Sequence, residues 1–138
     1  MEIHLPQSKP IEQRESMSVD AFIYIRTRFE AEHRWKDAPD DVAFLRNWHR
    51  HMFHVELGLP VADLNRELEF FRLKRALDRY IHESFAGLRF EHSCEQIAKH
   101  ILTKFVAAWC DVSEDGENGA RLFANPEMLA LVYHNASS

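Results

Sequence analysis

The stretch Trp48 to Leu57, Trp-His-Arg-His-Met-Phe-His-Val-Glu-Leu, constrains the fold of this chain more than any other. Two-residue alternation puts His49, His51, Phe53, Val55 and Leu57 on one face and Arg50, Met52, His54 and Glu56 on the other, which is the pattern of a half-buried β-strand. Phe22 to Trp35 alternates in the same way, with Ile23, Ile25, Thr27, Phe29, Ala31, His33 and Trp35 sharing a side. In both segments histidines end an apolar, inward face. Imidazoles two residues apart on a strand stand side by side, near enough to grip one metal ion. His33 from a neighbouring strand would complete an open three-nitrogen site of the catalytic zinc type. A His-x-His pair arises readily by chance in a chain with nine histidines, so the shared phase of all three carries the expectation. His54 projects from the opposite face and is excluded from the set.

A length of 138 residues suits one domain with a modest core. Hydrophobic content of 46% and charged content of 28% are those of an ordinary globular chain. The net charge of -5 and the scattered lysines and arginines give no footprint for nucleic acid or for an anionic membrane. Two cysteines, Cys94 and Cys110, make no disulfide framework, and neither a cationic leader nor a long apolar run stands in the sequence. The cytoplasm is the expected compartment.

Residues 1–17, with Pro6, Pro10 and little periodicity, read as a flexible N-terminal arm, and residues 18–138 as a single domain. A first strand is expected from Ser18 to about Arg34, broken by the polar insert from Lys36 to Asp41. The second runs from His49 to Leu59, and a short third is expected around Arg66 to Phe70. The period then changes. Phe70, Leu73, Leu77, Tyr80 and Ile81 recur at helical spacing, so a helix is predicted over roughly Phe71 to Phe85, with Gly87 as its stop. A second helix opens with a capping box, Ser93 accepting from the first turn and Gln96 reaching back, with Glu95 at the positive end of the dipole. Cys94, Ile97, Ala98, Ile101, Leu102 and Phe105 form its buried stripe. Trp109 to Phe123 returns to strand character around the turn Asp115 to Gly119. This order predicts an α+β fold, a small antiparallel sheet with two helices on one face. Its strand edges and open face need partners, so assembly is expected.

Five motifs in this order carry a resemblance. Phe29 to Trp35 resembles the first metal motif of the 6-pyruvoyl-tetrahydropterin synthase and 6-carboxy-tetrahydropterin synthase family, and His49-Arg50-His51 its His-Gly-His, with Arg50 in place of glycine. Glu69 to Lys74 is similar to the Asp-Phe-x-x-Leu-Lys that opens the first helix, and His92 to Ala98 to the Pro-Thr-x-Glu-x-x-Ala that opens the second. Glu114 and the run to Leu122 match the Glu-Thr near the family's C-terminus. The resemblance spans Phe22 to Phe123. It implies the tunnelling fold, in which sheets from several subunits close into an oligomeric barrel, usually a homo-hexamer, with active sites between subunits. It further implies zinc on His33, His49 and His51, and a pterin- or purine-like ligand bound by Glu114, Ser93 and Glu95.

The departures concern proton transfer. The family's catalytic cysteine position is Leu45 here, and its Asp-His dyad falls near Phe85 to Leu88, where neither residue occurs. His82 and His92 flank that loop as candidate catalytic bases. Glu114 shares a strand face with Cys110 and Val112, so it points inward and needs a partner, either an arginine or a ligand. Two functions are thereby expected. One is a zinc-dependent carbon-oxygen lyase-like enzyme acting on a reduced pterin or related purine-derived heterocycle, in pterin, folate or deazaguanine (queuosine) synthesis. The alternative is a catalytically inactive protein that grips zinc and such a heterocycle, or that acts through its assembly.

Overall fold

The computed structural model describes residues 19–125 together with residue 127. The N-terminal arm expected at residues 1–17 lies outside these residues, as does nearly all of the chain after 125. Five strands form one curled sheet: β1 (Ala21–His33), β2 (His49–Val61), β3 (Arg89–Phe90), β4 (Trp109–Glu114) and β5 (Asn118–Phe123). Their order is β3-β1-β2-β4-β5. Two helices, α1 (Phe70–Ser84) and α2 (Cys94–Phe105), pack on the sheet, α1 against β1 and α2 against β4 and β5. A 3-10 helix, Asp40–Arg46, links β1 to β2.

The two long strands form because their alternation is sustained for thirteen residues each, and antiparallel pairing in register buries both apolar faces together. Ile25, Phe29, Ala31, Phe53, Val55, Leu57 and Leu59 are all buried, and Phe29 stacks on Phe53 at 5.2 Å between ring centroids. From the helices come Leu77 and Ile81 on α1 and Ile97, Ala98, Ile101 and Leu102 on α2, while β4 adds Cys110 and Val112. The outer face of the sheet carries cross-strand ion pairs instead, among them Arg26–Glu56 at 2.8 Å, Arg50–Glu30 at 2.6 Å and Arg121–Asp111 at 2.7 Å. Exposed pairs contribute about 0–1 kcal/mol each, whereas each fully buried leucine, isoleucine or phenylalanine contributes about 1.5–3 kcal/mol. The inward face therefore sets the register. At Gly58, opposite Trp109, a Cβ would lie 2.2 Å from the indole, so only glycine lets that ring lie across the strand.

Two expectations need correction. No strand forms at Arg66 to Phe70; the chain turns there, Arg66 takes a positive φ of 56°, and Glu69 caps α1, its carboxylate accepting from the amides of Phe71 and Arg72. The sheet is mixed rather than purely antiparallel, because β3 runs parallel to β1 beside Glu32 and His33. The polar insert breaks β1 as expected, and at its end Asp40 and Asp41 open the 3-10 helix, where Arg46 folds back onto the Ala38 carbonyl and the Asp40 carboxylate. The capping box at Ser93 and Gln96 forms as predicted.

Candidate metal centre

Register brings the three histidines together. His33 pairs directly with His49 across β1 and β2, and His51 lies two residues further along β2 on the same face. The rings form a nearly even triangle, with centroids 4.6, 4.9 and 5.2 Å apart. His33 is buried, and its ring meets Phe53 edge-on at 5.1 Å, which limits its rotation.

A second set of contacts fixes how each ring is turned. Nδ1 of His33 is 2.9 Å from the carbonyl oxygen of His92, Nδ1 of His49 is 2.8 Å from that of Asn47, and Nδ1 of His51 is 2.7 Å from a carboxylate oxygen of Asp115. These acceptors hold no proton to give, so each Nδ1 donates. The three Nε2 atoms are left buried with no hydrogen-bond partner. Such orphaned groups are costly in an interior unless something occupies the space between them. One ring nitrogen from each histidine lies within 4.8 Å of the others, so the three can hold a metal ion. Imidazoles whose second nitrogen is bound to carbonyl or carboxylate are the usual arrangement for metal-ligating histidine.

Each acceptor arrives by a different route. Strand β3 carries the chain past His33 and delivers the His92 carbonyl. The 3-10 helix, tied to the end of β1 by the Trp35 amide donating to the Leu45 carbonyl at 2.8 Å, sets Asn47 ahead of His49. Asp115 has a positive φ of 56° just after β4, where its amide donates to the Met52 carbonyl and its carboxylate accepts from the Met52 amide. That amide, first, and then His51 hold the Asp115 carboxyl below the usual range.

Glu114, the last residue of β4, reaches the cluster from the side. Its two oxygens lie 3.3 Å from Nε2 of His33 and 3.3 Å from Nε2 of His51, within ion-pair range but off the hydrogen-bond direction, so both nitrogens still lack a partner. Among the described residues its ionic partners are these histidines, and no arginine pairs with it. His33 first, then His51 and His49, hold its carboxyl below the usual range against the opposing effect of burial. For His33, burial works against the charged ring, but Glu114 and the His92 carbonyl outweigh it and the pKa is raised.

The cluster opens into a cleft of about 590 Å³ lined by His33, His49, Glu114, Leu45, His92 and Cys94, with Ser93, Glu95 and Trp35 also on its walls. Of the residues singled out in the sequence, Ser93, Glu95, Glu114 and His92 thus line one cleft with His33 and His49, and Glu114 also reaches His51. His82 does not: it is exposed on α1 and lines a different cleft with Asp78 and Arg89. The His92 ring packs 5.4 Å from Phe90 and 5.1 Å from His100, and burial, then the His100 charge, lower its pKa. Sequence reasoning missed Asp115 and the carbonyls of Asn47 and His92. Asp115 had a usable signal, an acidic residue directly after a strand and before Gly116; backbone carbonyls leave none.

No family model matches the chain, and no curated protein sequence matches it. Solved structures do. An uncharacterized protein from Wolinella succinogenes superimposes with a TM-score of 0.63 at 15% identity, covering 78% of this chain and 100% of that one. The 6-pyruvoyl tetrahydropterin synthase of Caenorhabditis elegans gives 0.62 at 12% identity, covering 78% and 97%. At these identities the likeness shows the fold alone. The fold is that of 6-pyruvoyl tetrahydropterin synthase, the tunnelling fold implied by the sequence motifs.

Proposed function

We propose that this protein is a zinc-dependent, lyase-like enzyme acting on a reduced pterin or related purine-derived heterocycle, with the cleft beside His33, His49 and His51 as its active site. The observation that carries the proposal is the set of three buried, partnerless Nε2 atoms facing one another while every Nδ1 is spent on an outer acceptor. Nitrogen donors suit zinc over calcium or magnesium. Zinc held there would supply Lewis acidity toward a hydroxyl or carbonyl oxygen of the ligand's side chain. Glu114, kept ionised by its neighbours, is suited to pair with the guanidine-like edge of a heterocycle. Ser93 and Glu95 at the N-terminus of α2 line the same cleft and are proposed as further ligand contacts. His92, which lines the cleft and whose pKa is lowered by burial and then by the His100 charge, is the better candidate proton acceptor. His82, exposed in a different cleft, is the weaker candidate.

A second reading, a binding protein without turnover, is favoured by one observation. Leu45 lines the cleft at the position of the family's cysteine, and leucine moves no proton. Cys94 does not replace it, since burial and the Glu114 charge push its thiol up to about 12. In either reading we expect a homo-oligomer. No helix among the described residues is long and apolar enough to cross a membrane.

The test is the zinc content of the purified protein and of three variants. His49→Ala and His51→Ala should lose stoichiometric zinc, while His54→Ala, on the other face of β2, should keep it. Equal zinc in all of them would sink the site and the enzyme with it. Turnover of dihydroneopterin triphosphate, measured beside binding of the same compound, then separates the enzyme from the binder.

A further inference from the structure

Glu114 stands where no purely ligand-anchoring carboxylate needs to stand. Its oxygens are 3.3 Å from Nε2 of His33 and 3.3 Å from Nε2 of His51, against the very nitrogens left without partners. Four donors placed tetrahedrally about 2.0 Å from a common centre are about 3.3 Å apart along each edge. Each oxygen of the carboxylate thus keeps that spacing with one imidazole, Oε1 with His33 and Oε2 with His51. No lysine or arginine pairs with it among the described residues, and the Cys94 thiol donates to it at 3.9 Å. Its position is also rigid: it ends β4 opposite Phe53, and the turn that follows is pinned by two hydrogen bonds between Asp115 and Met52. Neighbouring carboxylates consequently address opposite sides of one ring, Asp115 at Nδ1 of His51 and Glu114 at Nε2.

We propose that Glu114 is the fourth donor to the metal in the ligand-free protein, so that the three-histidine site is closed by a carboxylate until a ligand displaces it. This rests on reading the three histidines as a metal site, and it differs from an open site, whose fourth position belongs to water. It also differs from a plain ion pair, in which Glu114 neutralises protonated histidines and plays no part once metal is bound.

The experiment uses the full chain loaded with cobalt(II), whose visible spectrum reports the number and kind of donors, and azide as a probe of an exchangeable position. The wild-type spectrum should be that of a four-coordinate ion and should not respond to azide. Glu114→Ala should bind cobalt roughly 10–100-fold more weakly or worse, the range seen when even outer partners of metal ligands are removed, and its spectrum should shift with azide. Glu114→Gln should fall between them. An azide-sensitive wild-type spectrum overturns the proposal without recourse to any variant, as do equal affinities in wild type and Glu114→Ala. A thiolate-to-cobalt band in the near ultraviolet would assign the fourth position to Cys94 instead, and would equally overturn it. Failure of the wild type to bind one cobalt per chain would sink the underlying site as well, so the two failures are distinguishable.

Discussion

A neutral imidazole has one N–H, and where that proton is spent decides what the other nitrogen can do. At His33, His49 and His51 it is spent on acceptors outside the cluster, so all three lone pairs face one another. Asp115 is the acceptor most open to test. Asp115→Asn keeps an oxygen for the Met52 amide but removes the charge behind His51, and should weaken zinc binding about 10–100-fold while leaving the melting temperature near that of wild type. Competition with a chelator measures this, and unchanged affinity would remove Asp115 from the centre. The cysteines make a second residue-scale prediction. Cys94 opens α2, where the helix dipole favours thiolate, but burial, first, and nearby carboxylates push its pKa up to about 12; Cys110 reaches about 12 through burial and Asp111. Both should react slowly with a thiol reagent in the native protein and rapidly after denaturation. Fast native labelling of Cys94 would show that the cleft sustains a thiolate.

At the scale of elements, the two long strands hold the histidines in place and the start of α2 lines the cleft beside them. Helix α1 begins at Glu69, whose carboxylate accepts from Phe71 at 3.1 Å and Arg72 at 2.9 Å. Glutamate is outside the favoured set of short capping residues, yet here it supplies the cap. The Arg72 amide, first, and the Phe71 amide lower the Glu69 pKa from its ordinary 4.5. A lowered folded value means the stabilisation is fully present above 4.5 and is lost as pH falls through the folded pKa. Glu69→Gln should therefore melt below wild type at neutral pH, with the gap closing well below pH 4.5. Thermal scans across that range decide it, and a gap independent of pH would contradict the charged cap.

For the whole molecule, the outstanding feature is what the sheet leaves open. Strand β3 covers only the Glu32 and His33 end of β1, so among the described residues the β1 edge from Ala21 to Phe29 has no partner strand, and β5 forms the other edge. Exposed edges of this length invite pairing. Phe22, Tyr24 and Phe123 add exposed aromatic surface on these two edge strands. The protein should purify as a multimer, measured by light scattering at micromolar concentration. A stable monomer there would remove the intersubunit part of the proposed active site.

Alternation alone determined the inward faces of β1 and β2, and with them the shared phase of His33, His49 and His51, because a period of two leaves a side chain only two directions. The stripe and capping box of α2 were equally local, resting on spacings of three and four residues. The tertiary structure decided what depends on register and on distant backbone. It set His33 opposite His49, turned Glu114 toward two histidines and away from any arginine, and brought a carbonyl from residue 92 to residue 33 through a two-residue parallel strand. A backbone carbonyl is the same in every residue, so no side-chain pattern marks the ones that orient a ring. Only the folded path of the chain selects them.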